Sequence, residues 1–310
     1  MTDDAIWVLA DPRAGTAAQA LGIAERLGRP FRVVPLEWGP MAQAPLRWPS
    51  LWGLTATARA AFHPPWPKLV ISAGRRSAPV ALWLARRGAK TVHCMRPGFG
   101  AARFDLLVLG RHDEAPAAPN ILPILGATHR MSPARLAEAR AAFTDLRTLP
   151  GPRVALLLGG PVRAVGMDPA IATAIARQVA GLGGSVLATA SRRTGAQATA
   201  ALRAALTGVP HRVFGWGDAG PNPYAGFLAS ADIIVVSGDS VSMLSEALAT
   251  GAMVLIADPG GLGPRHQRLA KNLIAAGQAR MLGEAPVPRT PLDETGRVAQ
   301  AVLARLPPPP

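Results

Sequence analysis

Short apolar runs recur along the first half of the chain, and each is followed by a loop containing Gly or Pro and then by a helical pattern. The predicted strands cover residues 6–10, 31–35, 69–72, 90–94 and 104–109, and the helical patterns cover 19–27 and 80–87. This strand–helix alternation predicts a parallel sheet with helices on its faces.

The alternation restarts after Leu149-Pro150-Gly151-Pro152, the strongest linker signal in the chain. An amphipathic helix is predicted over 133–147 before it. Strands are predicted after it at 153–158, 185–189, 213 onward, 232–236 and 253–257, and helices at 171–181, 195–206, 224–230, 240–250, 267–276 and 294–306. We therefore predict an α/β protein of two Rossmann-like, doubly wound domains, 1–149 and 150–310, that face a cleft, with a last helix able to pack back on the first domain. Ligands of such sheets bind outside the carboxyl ends of the strands.

One segment, residues 38–66, interrupts this alternation. It contains four of the seven tryptophans, Trp38, Trp48, Trp52 and Trp66, together with five prolines. Arg47, Arg59 and Lys68 are the only charged residues from 38 to 68. Two interpretations stay open: a helix packed on the sheet, or an interfacial surface that contacts an anionic membrane.

Charge and composition narrow the class of partner. The formal net charge is +14, but 30 of the 33 basic residues are arginines scattered along the chain, and no basic run is interleaved with aromatic residues. We therefore expect no nucleic-acid binding, and a phosphate ligand or an anionic membrane suits the charge better. Cys94 is the single cysteine, the N-terminus has no signal-like pattern, and no apolar stretch approaches about 20 residues. These features favour a cytoplasmic protein, soluble or peripheral on the inner face of the cell membrane.

The most informative motif is the Gly-containing turn between the strand at 232–236 and the next helix. Gly238 allows a sharp turn, Asp239 follows it, and Ser240 is placed as the helix N-cap. The next backbone amides, at Val241, Ser242 and Met243, would then form a diphosphate site at the positive end of the helix. Glu246 lies about two turns further on and could bind ribose hydroxyls. The alternative is a capped helix with a solvated glutamate.

Three further loops follow predicted strands and have the composition of phosphate sites. They are Gly159-Gly160, Ser191-Arg192-Arg193-Thr194, and, in the first half, Gly74-Arg75-Arg76-Ser77. Glycine permits close approach of a ligand, and guanidinium binds phosphate as a bidentate donor. Solvated loops are the alternative interpretation.

Catalytic residues are not identified by pattern. The six histidines lack metal-ligand spacing and no Asp-x-Asp pair is present, so we expect no metal and no cofactor. Asp11, His93 and His112 are the candidates for acid–base chemistry, although the pattern around His112 favours a surface turn over a base.

Several motifs together resemble bacterial members of the mitochondrial fission ELM family. They are Arg13-Ala14-Gly15 with Gln19, residues 74–79, 126–130, 191–194 and 222–224, and residues 239–243. The resemblance runs from about residue 6 to residue 281. Bacteria have no mitochondria to divide, so the family name does not describe a bacterial activity.

The chain is similar, more distantly, to the MurG-type glycosyltransferases, which have the GT-B fold. The matching positions are Tyr224, Ala231-Asp232, residues 233–236, Gly238, Ser245-Glu246 and Gly251, with Gly159-Gly160 in the place of their diphosphate-side glycine loop. This resemblance implies a UDP-sugar donor, a substrate and not a cofactor, with its ribose on Glu246. The chain departs from the family at Gly15–Gln19, which lacks a histidine, and at His93–Pro97, which lacks an acidic residue.

Three hypotheses follow. The first is a metal-independent glycosyltransferase that acts on a membrane-associated acceptor, with the donor on Gly159, Gly160, Arg192, Arg193, Ser240 and Glu246 and the acceptor near Arg13, Gly15, Gly74, Arg75 and Ser77. The second is a non-catalytic adaptor of the same fold that recruits a partner to a membrane. The third is a UDP-sugar epimerase, for which Asp11 and Asp239 are the available acids.

Overall fold

The computed structural model describes residues 5–44, 47–161 and 166–305. The described chain divides into two compact units. The first unit contains the residues up to Arg130 together with those from Asp293 onward, and the second unit contains Met131–Leu292.

The strands alternate with helices along both units, as the hydrophobic pattern predicts. The strands are β1 Ile6–Ala10, β2 Arg32–Pro35, β3 Leu69–Ala73, β4 Lys90–Cys94, β5 Leu106–Gly110, β6 Ile121–Ile124, β7 Arg153–Leu158, β8 Ser185–Ala190, β9 His211–Phe214, β10 Ile233–Ser237, β11 Met253–Ala257 and β12 Arg280–Met281. The α-helices are α1 Ala14–Arg26, α2 Ala56–Ala60, α3 Ala78–Ala85, α4 Pro133–Ala142, α5 Pro169–Ala180, α6 Ala196–Ala205, α7 Tyr224–Ser230, α8 Val241–Leu248, α9 Pro264–Ala275 and α10 Glu294–Leu303.

Each unit is built on one six-stranded sheet. The strand order is β2-β1-β3-β4-β5-β6 in the first unit and β12-β11-β10-β7-β8-β9 in the second. Every described strand pairing is parallel. The chain therefore reverses its direction of winding beside β1 in the first unit and beside β7 in the second, which defines the two positions where ligands of open α/β sheets bind.

The first sheet is buried on both faces because successive residues of each strand point to opposite sides. Val8 of β1 packs with residues of α1 and α10, including Ile23 and Val298. Trp7 is fully buried on the other face, where it contacts the cluster that contains Phe62 and Leu84. Burial on both faces explains the continuous apolar runs of these strands.

The second sheet has a core of the same kind. Val154, Leu156 and Leu158 of β7 are fully buried against α5 and α6, which contribute Ile175 and Leu202. Both units therefore confirm the predicted doubly wound architecture.

Strand β6, helix α4 and the boundary between the units differ from the sequence predictions. Strand β6 was not predicted because Pro123 lies within it, and proline is tolerated there because β6 is an edge strand. The helix predicted over 133–147 ends at Ala142, and Phe143 leaves the helix to pack closely on Gly226 of α7. Helix α4 packs on α7, so the division between the units falls before α4, whereas the sequence-based boundary falls after it, at residue 149.

Residues 38–66 do not form one long helix packed on the sheet. They contain the short 3-10 helix Pro40–Gln43, the five-residue helix α2 and an isolated antiparallel bridge between Trp38 and Leu54. Residues 45 and 46, within this segment, lie outside the described residues.

Candidate functional site

In the second unit, the carboxyl ends of β7 and β10 form a crevice, called here the second-unit crevice. Gly159 and Gly160 follow β7, and a side chain at either position would crowd a neighbouring loop. A Cβ atom on Gly159 would lie 2.6 Å from Oδ2 of Asp239, and one on Gly160 would lie 2.1 Å from the carbonyl oxygen of Arg193. The two glycines therefore let the β7 loop run directly against the loops of its neighbours, and the Gly159 amide donates to Ser237 Oγ at 2.7 Å.

Asp239 occupies the centre of this crevice. Its Oδ2 accepts a hydrogen bond from the Gly160 amide at 2.9 Å and lies 3.2 Å from Nη1 of Arg193. The same Nη1 donates to the Gly160 carbonyl at 2.5 Å. Two of the groups expected to bind phosphate, the Gly160 amide and the Arg193 guanidinium, thus already bind a carboxylate of the chain itself.

Helix α8 begins at the same crevice. Ser240 is its N-cap, and its Oγ accepts a hydrogen bond from the Met243 amide at 3.4 Å, as the sequence predicts. The first helical residues, Val241, Ser242 and Met243, are half-buried. The helix N-terminus places partial positive charge beside Asp239, which suits an anionic group of a ligand.

The predicted ribose ligand, Glu246, lies on the second turn of α8 and is half-buried. The Tyr224 hydroxyl donates a hydrogen bond to Glu246 Oε2 at 2.5 Å. Burial raises the pKa of Glu246 to about 7, while the Tyr224 hydrogen bond and the positive charge of Arg135 oppose that rise. Burial and the neighbouring Glu246 raise the pKa of Tyr224 well above its usual value. One carboxylate oxygen of Glu246 is thus already engaged by Tyr224.

The three predicted binding residues in the loop after β8 have different positions. Arg193 joins the crevice, whereas the side chain of Arg192 is exposed. Thr194 is fully buried and its hydroxyl donates to the carbonyls of Leu158 and Gly159, at 2.9 and 2.5 Å. Thr194 therefore fastens the β8 loop to the end of β7.

His266, at the start of α9, was missed by the sequence analysis. Burial and the charge of Arg265 lower the pKa of His266, while the charge of Asp239 acts to raise it. Ser237 and Arg135 were also missed. Ser237 could have been found because it ends the strand before Gly238, whereas Arg135 carries no local signal.

In the first unit, the carboxyl ends of β1 and β3 form the first-unit crevice. Asp11 lies there and is 6% exposed. Its Oδ1 accepts from the Arg13 amide at 2.9 Å, and its Oδ2 accepts from Trp38 Nε1 at 3.0 Å and from Arg76 at 3.2 Å. The Arg76 guanidinium also lies over the Trp38 ring, 4.9 Å from its centroid. Asp11 is thus bound by three donors and holds Arg76 and Trp38 in place. Trp38 reaches Asp11 because it follows β2 and β2 adjoins β1 in the sheet, an order that the sequence does not indicate.

A pocket of about 130 Å³ opens beside Arg76. Its charged and aromatic lining consists of Trp38, Arg47, Arg75, Arg76 and Phe99. Arg75 is exposed, and its aliphatic stem packs on Gly98, which adopts a left-handed conformation with φ of +84°. Three guanidinium groups with one nearby carboxylate give this pocket a net positive charge.

The other residues predicted in the first unit have structural or solvent-exposed positions. Gly74 adopts a left-handed conformation with φ of +85°, and the buried Ser77 hydroxyl donates to the Ala73 carbonyl at 2.7 Å. Arg13 and Gly15 are exposed at the start of α1. Gln19 is buried, and its carbonyl accepts from the Thr128 hydroxyl at 3.0 Å.

The two candidate histidines are buried. His93 lies within β4, with Nδ1 2.8 Å from Ser72 Oγ and its ring stacked on Phe104, and burial lowers its pKa to about 3. His112 is 1% exposed, with Nε2 3.8 Å from Asp113. A neutral imidazole in the core is poorly suited to exchange protons with a substrate, which argues against His93 as a base.

Metal ligands and membrane spans were searched in the described part of the chain only. Residues 5–44, 47–161 and 166–305 contain no group of three or more His, Cys, Asp or Glu side chains that could hold a metal ion. Among the helices in these ranges, none combines the length and the apolar character that crossing a bilayer requires.

The tryptophans of residues 38–66 divide into two groups. Trp66 packs edge-on against Trp7 and Trp83, with ring centroids 6.4 and 5.5 Å apart. Trp48 and Trp52 are 46% and 60% exposed and contact each other edge-on at 6.1 Å. Trp66 thus packs against the core of the first unit, whereas Trp48 and Trp52 are open to solvent.

Several solved structures share this fold over nearly the whole chain. Os79 from O. sativa, in complex with UDP, matches with a TM-score of 0.58 and 12% identity over 96% of this chain and 91% of its own. The UDP-GlcNAc 2-epimerase from Methanocaldococcus jannaschii matches with a TM-score of 0.56 and 13% identity over 97% and 99%. MurG from Acinetobacter baumannii matches with a TM-score of 0.51 and 14% identity over 97% and 90%. The chain therefore has the GT-B fold.

Two relatives are similar in sequence. The mitochondrial fission protein ELM1 of Arabidopsis thaliana is 28% identical over 233 residues, 66% of this chain. The match spans 54% of the Arabidopsis protein, so this chain corresponds to about half the length of that relative. An uncharacterized protein of Rickettsia prowazekii is 23% identical over 352 residues, covering 96% of this chain and 97% of its own. The profile described as mitochondrial fission ELM1 matches residues 14–306, nearly the whole chain, and the protein belongs to this family.

Proposed function

We propose that this protein is a metal-independent glycosyltransferase that uses a nucleotide-diphosphate sugar, with a UDP-sugar as the favoured donor. The observation that carries the proposal is the second-unit crevice, where two closely packed glycines, an arginine and the N-terminus of α8 meet beside β7. Two proteins of the same fold support the choice of nucleotide, since Os79 binds UDP and the Methanocaldococcus enzyme is a UDP-GlcNAc 2-epimerase.

The proposed donor site assigns one part of the ligand to each group. The diphosphate binds the first amides of α8, with Arg192 and Arg193 nearby. The ribose binds Glu246 once the hydrogen bond from the Tyr224 hydroxyl to this carboxylate is broken. The helix dipole and the exposed guanidinium of Arg192 would stabilise the leaving diphosphate without a metal ion. No cofactor is needed for this reaction, because the sugar nucleotide is a substrate.

The acceptor is proposed to bind the first unit. The pocket lined by Arg47, Arg75 and Arg76 favours an acceptor with an anionic group. Asp11 is bound by three donors, so its carboxylate is a positioning group for Arg76 and not the general base. Activation of the acceptor would therefore fall to a different residue.

Binding of the donor is tested by isothermal titration calorimetry with UDP, GDP, ADP and their sugars. We expect UDP and UDP-sugars to bind, and Arg193→Gln to weaken both by about tenfold, because loss of Arg193 leaves the Asp239 carboxylate without its positive partner beside the diphosphate. Arg203→Gln is the matched control, because Arg203 is an exposed arginine of the same unit that pairs with Asp218. No heat of binding from any nucleotide at millimolar concentration would rule out the transferase.

A membrane surface is the second proposed partner. Trp48 and Trp52 are exposed together, and Arg47 adjoins them in the chain. Indole rings and arginines favour the headgroup region of anionic bilayers. In a flotation assay with phosphatidylglycerol vesicles, we expect the wild type to float and Trp48→Ala with Trp52→Ala to remain at the bottom. Trp216→Ala, which removes a tryptophan 72% exposed in the other unit, should float. Equal flotation of all three proteins would refute membrane contact through this pair.

Two other functions are favoured by specific observations. An epimerase is favoured by the 97% and 99% coverage of the epimerase match and by the carboxylate of Asp239 in the crevice. Incubation with UDP-GlcNAc in D2O, followed by NMR, would reveal deuterium in the sugar if this reaction occurs. A non-catalytic adaptor is favoured because the Asp11 carboxylate already accepts three hydrogen bonds and is not available as a base. An adaptor would bind the nucleotide without consuming a sugar donor.

A further inference from the structure

The two carboxylate oxygens of Asp239 have different surroundings. Oδ2 is fully used, because it accepts from the Gly160 amide at 2.9 Å and pairs with Arg193 at 3.2 Å. Oδ1 is buried and has no hydrogen-bond partner among the described residues. A buried carboxylate oxygen without a donor is unusual, since its desolvation is not compensated.

The same geometry makes the position around Oδ2 unfavourable for a phosphate. The charge of Arg193 is cancelled by Asp239, and the Gly160 amide has no further hydrogen to donate. A diphosphate placed on Gly160 would also lie beside a carboxylate of like charge. The neighbouring N-terminus of α8, by contrast, still offers partial positive charge.

Oδ1 lies directly beside Gly159. A Cβ atom at this residue would lie 2.9 Å from Oδ1 and 2.6 Å from Oδ2, so even an alanine would crowd both oxygens. The carboxylate is thus bordered by bare backbone at the end of β7, and Oδ1 has no surface open to solvent. A ligand donor would reach Oδ1 through a small shift of the carboxylate or of this loop.

We propose that Asp239 binds a hydroxyl group of the sugar in a nucleotide-diphosphate sugar, through Oδ1, and that the diphosphate lies on the first amides of α8 and not on Gly160. Asp239 is then a specificity-determining residue: it distinguishes a sugar nucleotide from the free nucleotide. This assignment deepens the proposed donor site and rests on it.

The test compares the affinities of UDP and UDP-glucose, and of UDP and UDP-N-acetylglucosamine, in the wild type and in Asp239→Asn. Gly160 and Arg193 both donate toward Oδ2, so they should orient the asparagine with its oxygen there and its NH2 group at the place of Oδ1. A charged acceptor is thereby replaced by a neutral donor. We expect the wild type to bind at least one UDP-sugar more tightly than UDP, and Asp239→Asn to lose about tenfold of that advantage.

The matched control is Asp232→Asn. Asp232 accepts from the Arg153 amide at 2.7 Å and pairs with the Arg153 guanidinium, but it does so at the amino end of the same sheet. This variant should retain the wild-type ratio of UDP-sugar to UDP affinity.

A second measurement uses the wild type alone, so it does not depend on the variant folding. In a series of UDP-glucose analogues, each with one hydroxyl replaced by fluorine, one analogue should lose about tenfold in affinity because fluorine cannot donate a hydrogen bond. In Asp239→Asn the same replacement should cost clearly less.

Each outcome decides the assignment. If Asp239→Asn changes the affinities for UDP and for the UDP-sugar by the same factor, in either direction, then Asp239 acts only as an anion that competes with the diphosphate or as a structural group. That result would overturn the assignment. A fluorinated series without a weakened member would overturn it too. A wild type that binds UDP but prefers no UDP-sugar overturns this assignment and leaves the nucleotide site standing, whereas a wild type that binds neither overturns both.

Discussion

The carboxyl group of Glu246 should make the stability of the second unit depend on pH. Its pKa is about 7 in the folded chain because of burial, against 4.5 for an exposed glutamate. The folded state therefore binds the proton more tightly than the unfolded state does. Glu246 costs nothing below the lower pKa, and it destabilises the fold progressively as the pH rises from 4.5 to 7. The cost reaches about 3 kcal/mol above the higher pKa, and its change between pH 5 and pH 8 is about 2.5 kcal/mol.

Substitution of Glu246 by glutamine removes this titration and keeps the shape of the side chain. We expect the difference in unfolding free energy between Glu246→Gln and the wild type to grow by about 2.5 kcal/mol, in favour of the variant, from pH 5 to pH 8. Urea titrations followed by circular dichroism at several pH values measure it. Glu284→Gln, which changes an exposed glutamate of the same unit, should follow the wild type.

Tyr224 provides an internal check. Its hydrogen bond lowers the pKa of Glu246, so Tyr224→Phe should move the pH window upward. A wild type and a Glu246→Gln variant with parallel pH profiles would refute the reasoning, because the glutamate would then be ionised freely in both states.

Two further substitutions test the local geometry. Gly160→Ala should abolish nucleotide binding and lower the melting temperature, since its Cβ would lie 2.1 Å from the Arg193 carbonyl, whereas Gly208→Ala, also at positive φ but in open space, tests the backbone strain alone. Retained binding in Gly160→Ala would contradict the close approach. Glu294→Ala should destabilise the first unit by about 1–3 kcal/mol in urea titrations, because the buried Leu125 amide, 2.7 Å from Glu294, would lose its acceptor. An unchanged midpoint would show that water replaces the carboxylate.

The fold could be predicted from the sequence because strands buried on both faces produce continuous apolar runs, and β1, β3, β7 and β10 all do so. Strand β6 could not, since Pro123 disguises a short edge strand. The hydrophobic pattern also could not predict which tryptophan side chains would be exposed. Trp66 and Trp52 differ in exposure because Trp66 packs on Trp7 and Trp83 and is half-buried, whereas Trp52 is exposed.

The loops that border the second-unit crevice were predictable because the carboxyl ends of parallel strands lie at one edge of a sheet. Gly160 and Arg193 were expected there as phosphate ligands, but their capture by Asp239 was not. That contact depends on the strand order β10-β7-β8, which places the loops after β10 and β8 on either side of Gly160. A sequence indicates the ends of the strands and not their order, so it cannot tell a free arginine from one already paired.

The same pairing recurs in the first unit, where Asp11 after β1 lies 3.2 Å from Arg76 after β3, as Asp239 lies 3.2 Å from Arg193. In each crevice, a carboxylate neutralises the more enclosed arginine of an Arg-Arg pair and leaves the outer one, Arg75 or Arg192, exposed. Beside Asp239, an isolated phosphate ion would therefore meet the solvated guanidinium of Arg192 and a nearby like charge, and it should gain little. A ligand that carries both an anionic group and a hydroxyl group can engage Arg192 and the unpartnered Asp239 oxygen together. The second-unit crevice should thus discriminate against simple anions, through a charge pair whose members follow different strands.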